Sequence, residues 1–134
     1  VAGVDRSHDV VEQSKTQFSK AVTAGRAAFR EGTVEALPFE AAAFDKMCTV
    51  NTVYFWRSLD AGCSEIHRVL APGGRAVVGF HTDEHMDRVA KPEDIFTTRA
   101  PDDVVSALER AGFGTVQVTQ PEPATSWIAV VARR

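Results

Sequence analysis

The stretch Val1-Ala2-Gly3-Val4-Asp5-Arg6-Ser7-His8-Asp9-Val10-Val11 sets the fold class. Its opening four residues are apolar or glycine and run into a carboxylate, the pattern of a short strand buried on both faces. Ser7 then stands as an N-cap ahead of the paired valines of a helix. A strand that ends on an acid and turns directly into a helix is the step from which parallel α/β sheets are built. Ligands of such sheets bind beyond the carboxyl ends of the strands. The neighbouring parallel strand normally carries a glycine-rich turn, and none stands before Val1 in this sequence.

Downstream, Val10, Val11, Ser14, Phe18 and Ala21 or Val22 recur at helical spacing, which predicts one helix over Ser7 to Ala24 with Gly25 ending it. Ala27 to Glu31 fits a second strand, turned by Gly32-Thr33. Pro38 disfavours helix and central strand alike, so Val34 to Phe39 reads as a loop, with one helical turn over Glu40 to Ala43. Phe44 to Val50 is a buried strand, and Asn51 marks its end before the aromatic run Tyr54-Phe55-Trp56.

Ser58 caps a helix whose Leu59, Cys63, Ile66, Val69 and Leu70 share a face, and Pro72-Gly73-Gly74 stops it. Arg75 to His81 follows as a strand. The polar stretch Thr82 to Thr98 is long enough to cover a substrate. Pro101-Asp102-Asp103 opens the last helix, which ends at Gly112. Thr115 to Gln120 and Ser126 to Ala132 read as strands joined only by Pro121 to Thr125. A parallel crossover needs roughly a dozen residues, so this pair is expected to be antiparallel.

The chain of 134 residues has 44% hydrophobic and 25% charged residues, which suits a single domain over residues 1–134. No run approaches the roughly 18 apolar residues of a membrane span. A net charge of -3 opposes a sequence-independent grip on nucleic acid, leaving a small molecule as the expected partner. Cys48 and Cys63 show neither zinc nor disulfide spacing, so both are expected as reduced thiols in a cytoplasmic protein.

Several motifs occur in a telling order: Asp5 at a strand end, Leu37-Pro38-Phe39 before Phe44-Asp45, Leu70-Ala71-Pro72-Gly73-Gly74-Arg75 before a strand, then Glu109-Arg110-Ala111-Gly112-Phe113 and a closing hairpin. Together they resemble the class I S-adenosylmethionine-dependent methyltransferases from their second strand to their end. The resemblance implies a three-layer Rossmann-like α/β sandwich, mostly parallel, closed by an antiparallel hairpin, with sheet order 3-2-1-4-5-7-6. The first strand and its glycine-rich loop have no counterpart here, so the domain is expected to be N-terminally incomplete and an upstream segment is anticipated.

The same resemblance implies S-adenosyl-L-methionine as cofactor and methyl transfer to a small-molecule acceptor. It places Asp5 on the ribose hydroxyls with Arg6 beside it, and Val10 against the adenine. Thr33 stands where an Asp often meets the adenine amino group, the Val34 amide faces the adenine, and Asn51 lies near the methionine part and the acceptor. From its position alone, Asp5 serves equally as a helix cap. The Tyr54-Phe55-Trp56 run either lines an acceptor pocket or packs a turn.

A general base is not required for so reactive a donor; His81 and Tyr54 are the candidates at the sheet's carboxyl edge. His81, Asp83 and His85 suit a solvated loop better than a metal site, and no metal is expected. His67 is expected on the surface. Two other readings stay open. One is a non-catalytic fragment or pseudoenzyme acting as a binding or assembly partner; the other is a nicotinamide-dependent oxidoreductase, which should lack the closing antiparallel pair.

Overall fold

The computed structural model of the chain describes residues 1–82, 96–120 and 127–134. It contains β1 (Ala2–Asp5), α1 (His8–Gln17), α2 (Ser19–Thr23), β2 (Ala28–Glu31), β3 (Phe44–Val50), a 3-10 turn (Val53–Phe55), α3 (Leu59–Val69), β4 (Leu70–His81), α4 (Pro101–Arg110), β5 (Thr115–Thr119) and β6 (Trp127–Arg133). The strands form two sheets: a parallel pair β1-β2, and a four-stranded sheet in the order β3-β4-β6-β5. β3 and β4 are parallel, and β6 runs antiparallel to both β4 and β5. This is the expected order with a break where a strand between β1 and β3 would lie.

The expected single helix over Ser7 to Ala24 is two helices. Phe18 leaves helical geometry at φ -105, ψ 25, and its ring stacks on Phe29 of β2 at 5.7 Å. Stacking that aromatic pair turns the chain at the cost of one continuous ladder. The Ser7 hydroxyl caps α1 by accepting from the Val10 amide.

β4 starts earlier than the expected Arg75, at Leu70, because Leu70 already pairs with Phe44 before the register jumps to Lys46–Arg75. The intervening Pro72-Gly73-Gly74 forms a bulge, with Gly73 at φ 78 and its amide on the Arg134 carbonyl. Gly74 is tied into the same turn: a Cβ there would lie 2.8 Å from the Ala71 carbonyl oxygen. Residues 40–43 hold no helical turn.

α3 and α4 bury one face of the four-stranded sheet. Ile66, Leu70, Phe80, Val104, Leu108 and Val130 have no exposed surface at all, each such side chain contributing about 1.5–3 kcal/mol of transfer free energy. Pro101 occupies the first turn of α4 beside Asp102 and Asp103, and Gly112 at φ 100 ends it. His67 is not the surface residue expected; it is half-buried on α3, edge-on to Phe113 at 5.1 Å. Burial lowers its pKa, as does the neighbouring Arg134.

No helix among the described residues is long and apolar enough to cross a membrane. The expected substrate-covering loop and the hairpin connection fall largely outside the described residues.

Candidate functional site

The carboxyl ends of β1 and β3 face the break between the two sheets. At the first, Asp5 is exposed, and its Oδ1 accepts the Ser7 amide at 2.8 Å. Oδ2 has no hydrogen-bond partner among the described residues. The two roles open to Asp5 in the sequence are therefore compatible: one oxygen orders the entry to α1, and the other is left for a ligand. Asp5 and Val10 line a single open pocket of ≈ 160 Å³ together with Gly3, Val4, Val11, Ser14 and Phe29. That volume falls below the roughly 300 Å³ of a full small-molecule site and suits only part of a cofactor. Val10 is 42% exposed, an unsatisfied apolar surface on the rim.

At the end of β2, the Gly32 amide bonds the Asp5 carbonyl at 3.0 Å, which brings the next residues back beside β1. Thr33 is exposed and bridges Ala36 in a tight turn. Val34 packs inward instead; a Cβ on Gly62 of α3 would meet its Cγ1 at 3.1 Å and the Trp56 ring at 3.0 Å. Glu35 accepts from the Arg57 amide at 2.7 Å. Its pKa lies below the ordinary carboxylate value although burial, the largest single influence, pushes the other way; backbone amides and the Thr33 hydroxyl outweigh it. Glu35 thus holds the start of α3 against the turn that carries Thr33 and Val34.

The Leu37-Pro38-Phe39 loop has a clamp that sequence reading missed. Glu65 accepts the Leu37 amide at 2.8 Å, and its other oxygen binds Arg68 Nε at 2.6 Å. Arg68 donates onward to the carbonyls of Phe39 at 2.8 Å and Leu37 at 3.1 Å, while its own carbonyl receives the Ala42 amide. The detectable signal was a Glu and an Arg three residues apart on α3, which puts them on one helix face.

On the far side of the break, Asn51 adopts φ 55, a left-handed conformation that Asn tolerates better than most residues. Its amide bonds the Gly79 carbonyl, so the chain turns sharply out of β3. The Thr49 and Thr52 hydroxyls share a short hydrogen bond, and Thr52 also receives the Trp56 indole at 3.1 Å. Tyr54 is buried. Its hydroxyl receives the His81 amide at 2.6 Å and reaches the His81 carbonyl at 3.0 Å. Of the two readings of the aromatic run, Tyr54 and Trp56 take the packing one. Phe55, 39% exposed, faces outward with the Arg6 guanidinium 5.6 Å from its ring centre. Arg6 thus reaches across the break.

His81 ends β4 opposite Trp127. Asp83 and His85, grouped with it in the sequence, lie outside the described residues, and no cluster of three metal-binding side chains occurs among those described.

This fold is shared with known proteins. A family profile for the methyltransferase domain matches residues 1–78. The chain belongs to the class I S-adenosylmethionine-dependent methyltransferase family. It is 27% identical over 125 residues to an O-methyltransferase of Penicillium expansum, covering 89% of this chain and 45% of that protein. It is also 33% identical over 78 residues to a ubiquinone/menaquinone biosynthesis C-methyltransferase of Geobacter sulfurreducens, covering 58% of this chain and 30% of that one. The chain thus spans less than half the length of these relatives. Its fold superposes on an S-adenosylmethionine-dependent methyltransferase from Mesorhizobium loti with a TM-score of 0.79 at 17% identity, covering 100% of this chain and 80% of that structure.

S-adenosylmethionine is the cofactor of this methyltransferase family. The residues present fit its adenosine half: a carboxylate oxygen without a hydrogen-bond partner among the described residues, an exposed apolar side chain beside it, and a small pocket lined by both. Among the described residues no strand fills the break beside β1, so no fit for the methionine half is built there.

Proposed function

We propose that this chain contributes the adenosine-binding and acceptor-facing side of an enzyme that methylates a small-molecule nucleophile. When bound, S-adenosylmethionine supplies an already activated methyl group. The chain's own task is then to orient and to exclude water. In this reading Asp5 takes the ribose hydroxyls through Oδ2, Val10 covers one face of the adenine, and Thr33 and Val34 bound its edge. Arg6 and Asn51 flank the point where cofactor and acceptor meet. His81 is the proposed proton acceptor; Tyr54 is set aside because its hydroxyl is already engaged by the His81 backbone.

The observation that carries the reading is Asp5, ordered through one oxygen and open at the other, on the wall of the pocket that Val10 shares. The small-molecule acceptor is supported by relatives that are named for O- and C-methylation. The antiparallel β5-β6 pair weighs against the oxidoreductase reading. Methyl transfer by the full chain would exclude a non-catalytic binding role.

Calorimetric titration tests the site. With only adenosine-side contacts, S-adenosylmethionine and adenosine should bind with similar, weak affinity, a Kd on the order of 0.1–1 mM. Asp5→Asn should weaken both by about tenfold. Micromolar binding of S-adenosylmethionine that greatly exceeds adenosine's, or affinity indifferent to Asp5→Asn, would overturn the assignment.

A further inference from the structure

β5 closes the four-stranded sheet on the side away from the break, and among the described residues it pairs only with β6. Its outer backbone groups, on alternate residues, are therefore an open ladder edge. Edge strands are commonly guarded by a charged side chain, a proline or a bulge. β5 has none of these: it reads Thr115-Val116-Gln117-Val118-Thr119 and holds a continuous register with β6 throughout. All but Val116 are exposed, Val118 at 49%.

The strand also reads the same in both directions. An antiparallel pairing with a second copy, centred on Gln117, sets Thr115 against the partner's Thr119, Val116 against the partner's Val118 and Gln117 against its own equivalent. The twofold carries each alternate set, 115, 117 and 119 or 116 and 118, onto itself, so whichever set faces outward meets donors with acceptors. Side chains directly opposite in such a pair share a face. Val116 already packs against the core, so the pairing extends that apolar layer over the exposed Val118. Thr115, Gln117 and Thr119 lie on the other face, where the pairs are neutral and bring no like charges together.

We propose that β5 is a self-pairing edge through which two copies of this chain join across a twofold axis at Gln117. The two sheets become one, in the order β3-β4-β6-β5-β5-β6-β4-β3. The interface is isologous, the same edge being used on each copy, so assembly through it closes at two. Because β6 is antiparallel to both β4 and β5, β5 runs in the direction of β4, and the twofold turns the carboxyl ends of β3 and β4 in the two copies to opposite sides of the joined sheet. The pairing therefore does not depend on the methyltransferase reading.

Sedimentation velocity on the full chain over a concentration series tests this. One short strand pair is small among specific interfaces, so the weight-average mass should rise from one chain toward two with a Kd on the order of 100 μM. Gln117→Lys and Gln117→Glu each set like charges against each other at the axis, and each should weaken association about fivefold at low salt. Mixed in equal amounts, the two variants should recover the parent's association, because every mixed pair sets opposite charges against each other. Recovery on mixing also shows that both variants are folded. A mass that stays at one chain up to about 1 mM, association that both variants leave unchanged, growth past two chains, or variants that fail to recover on mixing would overturn the proposal.

Discussion

Replacing Glu65 with Ala removes the carboxylate that joins the Leu37-Pro38-Phe39 loop to α3. Three hydrogen bonds end on it: the Leu37 amide at 2.8 Å, Arg68 Nε at 2.6 Å and Arg68 Nη2 at 2.9 Å. The Glu65 side chain is 21% exposed and that of Arg68 37%, so the ion pair is partly screened and contributes about 0.5 kcal/mol. The amide-to-carboxylate bond is charge-assisted and part-buried, worth about 1.5 kcal/mol. Arg68 still reaches the Leu37 and Phe39 carbonyls in the variant, so the loop does not come free. The expected loss is about 2 kcal/mol, a fall of about 1 M in the urea midpoint. Glu65→Gln keeps an acceptor for Leu37 and should lose about half as much.

The same clamp predicts a pH dependence. Arg68 holds the Glu65 carboxyl below its ordinary value of 4.5, against the opposing effect of burial. A depressed folded-state pKa means that the contribution is complete above 4.5 and is lost as pH falls through the lower, folded value. Urea midpoints followed by tryptophan fluorescence at pH 7 and in the acid range give both quantities. A Glu65→Ala midpoint within about 0.2 M of the parent, or an acid-range loss of stability unchanged in Glu65→Gln, would refute the clamp.

Tyr54→Phe should cost about 1–2 kcal/mol of stability, because the buried hydroxyl's hydrogen bonds to the part-buried His81 amide and carbonyl are lost. If the full chain methylates an acceptor, turnover should fall far less than the roughly 100-fold expected on removing a general base. His81→Ala, by contrast, should lower that turnover and alter its pH profile; kinetics unchanged across pH would end that role. Gly79→Ala places a Cβ 2.5 Å from Trp127 Cζ2 and should destabilise by about 1–3 kcal/mol, a loss that Trp127→Leu should relieve in thermal unfolding. Among the cysteines, Cys48 is exposed and Cys63 buried, with burial pushing the Cys63 thiol up to about 12. A thiol reagent at neutral pH should therefore modify one cysteine per folded chain and the second only after unfolding.

Arg75–His81 was legible from its apolar run, whereas Phe44–Val50, expected as a buried strand, forms the strand but is exposed at Asp45, Lys46, Cys48 and Val50. The antiparallel close was legible from connection length alone. Phe18 was not: its spacing suits a helix, and only the tertiary partner Phe29 reveals why the helix turns there. The early start of β4 was hidden for a related reason. Pro72 and Gly73 look like a terminator, and the bulge that accommodates them depends on the carboxyl terminus, whose Arg134 carbonyl receives Gly73 and whose amide binds Gly74.

At the site, single-residue chemistry was readable and connections were not. Asp5 at a strand end is a local pattern, and so is Asn51 after β3. That Arg6 spans to Phe55, that Tyr54 is occupied by a backbone, or that Glu65 and Arg68 fasten a loop some 30 residues away requires knowing which elements meet. Those long-range contacts give the break between the sheets its shape. β1 and β3 present their carboxyl ends to it without being hydrogen-bonded to each other, so the separation of Asp5 from Asn51 depends on ties made elsewhere. Glu35 on the Arg57 amide, Val34 and Trp56 against Gly62, Arg6 over Phe55, and the Glu65–Arg68 clamp are those ties. Three of the four run through the segment 33–39. Loosening that segment should therefore disturb ligand affinity at Asp5 without touching any ligand-facing residue. Glu65→Ala, assayed by adenosine titration beside its urea curve, should weaken binding in parallel with stability; unchanged affinity would show that the β1-β2 unit holds its pocket independently of the larger sheet.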